Sequence, residues 1–124
     1  MGNYNNWLAY QKGLELVIKI HKISQQFPPH EQYSLTDQIR RSSRSVCSNI
    51  AEAYYKSNYT KHFISKLLDA SSENGETQVW LEMSYQFDYF DAKTHAELIE
   101  LNNEIGKLLW YMIHNPQKFQ QPLL

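Results

Sequence analysis

Apolar residues recur along this chain at three- and four-residue intervals, in four blocks set apart by proline, asparagine and aspartate. Pro28-Pro29 closes the first block, Ser57-Asn58-Tyr59-Thr60 the second, Phe90-Asp91 the third and Asn115-Pro116 the fourth. No block contains proline, and none sustains the two-residue alternation of a half-buried strand. The spacing predicts helices over roughly 7–26, 35–56, 61–89 and 92–114, followed by a frayed tail over 117–124. Connections this short make neighbouring helices antiparallel. The expected fold is therefore all-α: a single domain over 1–124, an antiparallel up-down-up-down four-helix bundle.

At about 100° per residue, the first helix carries two apolar stripes. Leu16, Ile20, Ile23 and Phe27 form one; Leu14, Val17, Ile18 and His21 form the other, nearly opposite. Lys12, Glu15, Lys19, Lys22 and Gln26 share one narrow polar sector. One stripe suits a bundle core, and the second calls for an oligomeric partner or for a second neighbouring helix. The periodicity does not decide which stripe is which. The second helix has a thin seam of Leu35, Ile39, Ser42, Ser43, Val46, Ile50 and Ala53, with Ser34 as its candidate N-cap and Asp37 in its first turn. The third helix offers Phe63, Ile64, Leu67, Leu68, Ala70, Ser71, Val79, Trp80, Leu81, Met83 and Phe87 for burial. Gly75 in its middle costs about 1 kcal/mol relative to Ala, and close helix contact is its expected justification. Asp91 caps the fourth helix, whose apolar face is Leu98, Leu101, Ile105, Leu108, Leu109 and Met112.

Composition adds limits. A chain of 124 residues with a 42% hydrophobic and 20% charged make-up builds a core without staples. Cys47 is the lone cysteine, which leaves no disulfide framework and fits a reducing compartment. The first residues lack the pattern of a signal peptide or myristoylation site, and no apolar run is long enough to span a bilayer. A cytoplasmic protein without membrane attachment is expected. The formal net charge is −1, yet it is unevenly spread. Residues 1–66 hold nine Lys and Arg against four Asp and Glu, a net +5, whereas residues 67–124 hold three against nine, a net −6. Such halves suit either an anionic ligand on the basic side or the meeting of one subunit's basic half with another's acidic half.

Catalytic chemistry finds little footing. A bundle di-iron site needs Glu-x-x-His pairs, but the residues three before the five histidines are Ile18, Phe27, Tyr59, Ala92 and Tyr111. Cys47 and the serines around it have no histidine within a helical turn, and the four glycines are too scattered to cradle a phosphate. No catalytic residue, metal or cofactor is expected. One constellation stands out: Arg40, Arg41 and Arg44 on the second helix, with Lys56, Lys61, His62 and Lys66 around the corner into the third. Tyr54, Tyr55 and Tyr59 are interleaved with the lysines, as in surfaces that stack bases and track phosphates. The competing reading pairs the arginines with Glu52, Glu73 and Glu76, within or between subunits.

The same residues carry a resemblance. Phe27-Pro28, Glu31, Leu35-Thr36, Gln38-Ile39-Arg40-Arg41-Ser42, Ser45-Val46 and Asn49-Ile50-Ala51-Glu52 resemble the central signature of a bacterial four-helix-bundle family encoded in intervening sequences of large-subunit ribosomal RNA genes. Glu73, Glu76-Thr77 and Trp80-Leu81 resemble a second patch seen in part of that family. The similarity runs from about Trp7 to His114. It implies a protomer that assembles into a homopentamer with no known catalytic site. It also implies kinship with basic, nucleic-acid-binding accessory proteins of diversity-generating retroelements. Arg40, Arg41, Asn49 and Glu52 match the family motif. Ala53 stands where the family usually has Gly, and Cys47-Ser48 where Pro-Ala is common.

Two expectations follow. The chain is a non-catalytic interaction scaffold, a homopentamer whose structural network includes Arg41, Asn49, Glu52, Glu73, Glu76 and Trp80. The alternative is a nucleic-acid-binding accessory protein using Arg40, Arg44, Lys56, Lys61 and Lys66. A further protein partner fits either reading.

Overall fold

The computed structural model describes residues 3–120. Four helices make up the fold: α1 (Leu8–Ser24), α2 (Leu35–Tyr55), α3 (Thr60–Gln86) and α4 (Ala92–His114). Among the described residues there is no strand. Each helix packs against its neighbours in the cycle α1–α2–α3–α4, so α1 and α3 stand on one diagonal and α2 and α4 on the other. Pairings across each seam run in opposite directions along the two helices. Gly13 faces Cys47 while Ser24 bonds Arg40; Thr77 bonds Ser42 while Lys66 pairs with Glu52. Asn74 meets Asn102 while Glu82 meets His95. The all-α four-helix bundle is thus antiparallel around the ring.

The core explains which stripe of α1 turns inward. Leu16 and Ile20 are buried with Ile39 and Ile50 of α2, Phe63, Leu67 and Leu81 of α3, and Ile105 and Leu109 of α4. Each such side chain contributes about 1.5–3 kcal/mol of hydrophobic stabilisation. Leu14 and Ile18, from the opposite stripe, are 42% and 47% exposed.

Local chemistry sets the helix ends. Ser34 sits at the start of α2, but its hydroxyl accepts no capping bond. Glu31 does that work instead, its Oε1 accepting from the Ser34 hydroxyl and from the Leu35 N–H, 3.3 Å away. Asp91 caps α4 as expected, with Oδ1 accepting from the Thr94 N–H at 2.8 Å. The third helix stops at Gln86, three residues short of the expected end. Asp88 takes a left-handed φ of 62°, the Asp88 N–H bonds Tyr85 O, and the Tyr89 N–H bonds Ser84 O. This is a Schellman closure with Asp in the position usually given to Gly.

Three expectations are corrected. Leu68, Val79, Met83 and Phe87 are between 42% and 54% exposed, whereas Thr77 and Ser84 are buried in their stead. Gly75 has no atom within 4 Å of where its Cβ would lie, so close contact within the chain does not account for it. Gly13 and Gly106 are the packed glycines, their missing Cβ positions lying 3.0 Å from Cys47 Sγ and 2.9 Å from Asn74 Oδ1. The tail is the third. Pro116–Lys118 forms a 3-10 turn, Phe119 packs edge-on against Trp7 and Tyr111, and Gln120 Nε2 donates to Ser57 O and Thr60 Oγ1 at 3.0 Å each. The rest of the expected frayed tail, 121–124, lies outside the described residues. No helix among the described residues is long and apolar enough to cross a membrane.

Candidate functional site

The motif side chains of α2 meet those of α3 along one seam, because α2 keeps the seam narrow with Ser42, Ser45 and Asn49. At its base the Thr77 hydroxyl donates to Ser42 Oγ at 2.9 Å, both residues being buried. Above it, Gln38, Arg41, Ser42, Ser45, Glu73 and Glu76 line an open cleft of about 190 Å³. Asn49 braces the cleft wall, its Nδ2 donating to Ser45 O at 2.9 Å and Ser45 Oγ at 3.1 Å.

Charge in this cleft is unbalanced. Burial holds the Glu73 carboxyl above the usual carboxylate range, and the adjacent Glu76 pushes it further the same way. Among the described residues, no carboxylate lies within 4.0 Å of Arg40, Arg41 or Arg44 to form an ion pair. Arg40 turns toward α1 instead, its Nε donating to Ser24 Oγ at 2.8 Å. Arg41 and Arg44 are exposed.

Glu52, a proposed arginine partner, is taken by Lys66 at 2.7 Å. The hydrogen bond from Lys66, followed by its charge, holds the Glu52 carboxyl below its ordinary range. Lys66 also reaches Asp69 at 3.7 Å, so among the described residues it is the one lysine of the basic constellation already committed to carboxylates. Lys56 and Lys61 stay exposed at the α2–α3 corner beside Tyr55 and Tyr59, which are 72% and 61% exposed. Trp80 packs against the core with its indole N–H buried and without an acceptor among the described residues. Burial pushes the Cys47 thiol up to about 11, which leaves it protonated and a poor nucleophile at neutral pH. Among the described residues, no three His, Cys, Asp or Glu side chains gather to hold a metal ion.

Outside the seam the bundle leaves large apolar side chains uncovered, Trp110 of α4 at 60% exposure among them, but the aliphatic ones have a narrower distribution. Among the described residues, every exposed Leu, Ile, Val and Met lies on α1 (Leu8, Leu14, Ile18) or α3 (Leu68, Val79, Met83). Helical periodicity flagged the α1 side. On α3 it assigned all three to the core, because Thr77, Asn102 and Ser84 carry no apolar signal and yet fill that space.

Comparison with known proteins bears on this arrangement. The family model described as 23S rRNA-intervening sequence protein matches residues 5–111. A crystal structure at 1.70 Å of a protein of unknown function from the S23 ribosomal protein family, from Bacteroides thetaiotaomicron VPI-5482, superposes with a TM-score of 0.78. Its sequence is 29% identical, and the similarity covers 86% of this chain and 96% of that one. No curated protein matches.

Proposed function

The chain belongs to the 23S rRNA-intervening sequence protein family, and from that premise we propose that it is a non-catalytic, self-assembling helical bundle that serves as an interaction scaffold. One observation carries the reading: among the described residues, the exposed Leu, Ile, Val and Met side chains lie on two helices at opposite corners of the bundle. Scattered apolar residues are ordinary on a surface, but confinement to two helices marks places where other surfaces dock. The family resemblance favours a homopentamer. Light scattering at micromolar concentration tests this directly. A mass near five times the 14.7 kDa of one chain is expected, and a monomer mass overturns it.

A second reading has its own support. Arg44 is exposed and without a carboxylate partner among the described residues, and Lys56 and Lys61 flank exposed tyrosines. In this reading Arg40, Arg44, Lys56, Lys61 and Lys66 bind RNA or DNA as an accessory function of the assembly. Lys66 contributes least, because Glu52 and Asp69 already neutralise it. Binding in a low-salt gel shift, weakening steeply with added salt and with Arg44→Ala, is the expected outcome. No shift with single- or double-stranded RNA or DNA at low salt removes this reading and leaves the scaffold.

A further inference from the structure

We propose that neighbouring copies join head to tail, the outward face of α3 in one copy seated on the outward face of α1 in the next. This rests on the self-assembly reading above and adds which surfaces meet, and with what polarity.

The outward row of α3 is Leu68, Ser72, Gly75, Val79 and Met83, which fall within an arc of about 80° at helical spacing. Leu68, Val79 and Met83 are 51%, 46% and 42% exposed, and nothing approaches within 4 Å of the Gly75 Cβ position. The row is therefore apolar at its ends and flat in its middle, where another helix can come close. Carboxylates rim it: Asp69, Glu76 and Glu82, with no Lys or Arg between Leu68 and Met83, while Glu73 lies further round in the cleft against α2. Asp69 is shared with Lys66, and Glu82 with His95. Glu73 and Glu76 have no cation within 4.0 Å among the described residues.

The outward face of α1 is the complement. Leu14 and Ile18 are exposed, and Lys22 sits beside them with no carboxylate within 4.0 Å among the described residues, whereas Lys19 lies further round, in the α1–α4 groove with Glu15, Glu97, Glu100 and Glu104. Two α3 faces brought together would set acid rim against acid rim, so like-with-like pairing is disfavoured. An α1 face on an α3 face covers apolar area on both sides and matches charge. Because α1 and α3 occupy opposite corners of the bundle, the two faces point away from each other. Each copy then offers one face to the copy before it and the other to the copy after. That is a heterologous contact, which closes into a ring when the rotation per copy allows.

Mixed disulfide trapping tests the polarity. In a Cys47→Ser background, chains carrying Ile18→Cys are mixed with chains carrying Val79→Cys and oxidised. Disulfides joining the two variants are expected, with at most traces when either variant is oxidised alone. Charge exchange tests the rims. Lys22→Glu or Glu76→Lys should each weaken assembly by about ten-fold, and mixing the two variants should restore it. A monomeric wild-type chain overturns the self-assembly reading and this arrangement together. An oligomer that traps Ile18→Cys to itself or Val79→Cys to itself, or charge variants that do not rescue each other, overturns this arrangement and leaves self-assembly standing.

Discussion

The two polar seams flanking α3 are built on opposite plans. Between α3 and α4, Asn74 Nδ2 donates to Asn102 O at 3.1 Å and Oδ1 at 2.9 Å, while Asn102 Nδ2 donates to Asn74 O at 3.2 Å and Gln78 Oε1 at 3.0 Å. These are neutral amides that satisfy one another, and Asn102 is 1% exposed. Between α2 and α3, the buried Ser42–Thr77 bond gives way to a cleft where Glu73 and Glu76 crowd each other and Arg41 closes no ion pair among the described residues. The first seam is complete within one chain, as a buried polar network must be to stabilise a fold. The second is open and charged, so it is where an outside group changes the energetics most.

The most forceful way to break this comparison is Asn102→Ala. It removes the Oδ1 acceptor of Asn74 and the donor to Gln78, leaves Asn74 only the Asn102 carbonyl, and opens a small cavity. A loss of about 2–4 kcal/mol is expected in urea unfolding. A loss under about 0.5 kcal/mol would show that the amide network does not hold the α3–α4 seam. Gly106→Ala comes next. Its new Cβ would sit 2.9 Å from Asn74 Oδ1, and overpacking of about 1–3 kcal/mol outweighs the roughly 1 kcal/mol gain in helix propensity. The same unfolding measurement should show Gly106→Ala to be destabilising.

Gly75→Ala should have the opposite sign in an isolated protomer. Nothing meets its Cβ, so the helix gains about 1 kcal/mol. If α3 seats on another copy there, the same change weakens assembly. Unfolding of dilute, dissociated chains and sedimentation of concentrated ones separate the two effects. An unchanged sedimentation profile would remove Gly75 from the interface.

These residues also mark how far the sequence could be read. Helix number, the bundle itself, the Asp91 cap and the start of α2 were legible because each rests on local spacing or a local hydrogen bond. The second apolar stripe of α1 was legible too, though which stripe turns inward depends on the helices α2 and α4 packed against it. The inward face of α3 was legible at Phe63, Leu67, Ala70 and Leu81 but not at Thr77 and Ser84, which are buried by virtue of partners on α2 or on the preceding turn. The Asp88 closure was missed because left-handed Asp is far rarer than left-handed Gly. The motif residues of α2 do share a cleft with Glu73 and Glu76, but the expected pairing of the arginines with these carboxylates is not made among the described residues. That Glu52 would prefer Lys66 is a matter of reach across the α2–α3 corner, which no spacing rule reports.

The smallest effect is the most pointed test of the open seam. Glu73 has its carboxyl held above the ordinary range, first by burial and then by Glu76. A carboxyl raised in the folded state binds its proton more tightly there than in the unfolded chain. Its contribution to stability therefore falls as pH rises from its ordinary value through the raised one. Above that window, Glu73→Gln should stabilise an isolated protomer by about 0.2–0.5 kcal/mol, the size of a like-charge pair one turn apart on a helix. Below it, wild type and variant should converge. The assembled protein should answer differently, because Lys22 of a neighbouring copy would draw on the Glu76 charge and offset that repulsion. Glu73→Gln would then help the free chain more than the assembly at the same neutral pH. If it helps both equally, the α2–α3 seam is as self-contained as its Asn74–Asn102 counterpart, and the contrast between the two seams fails.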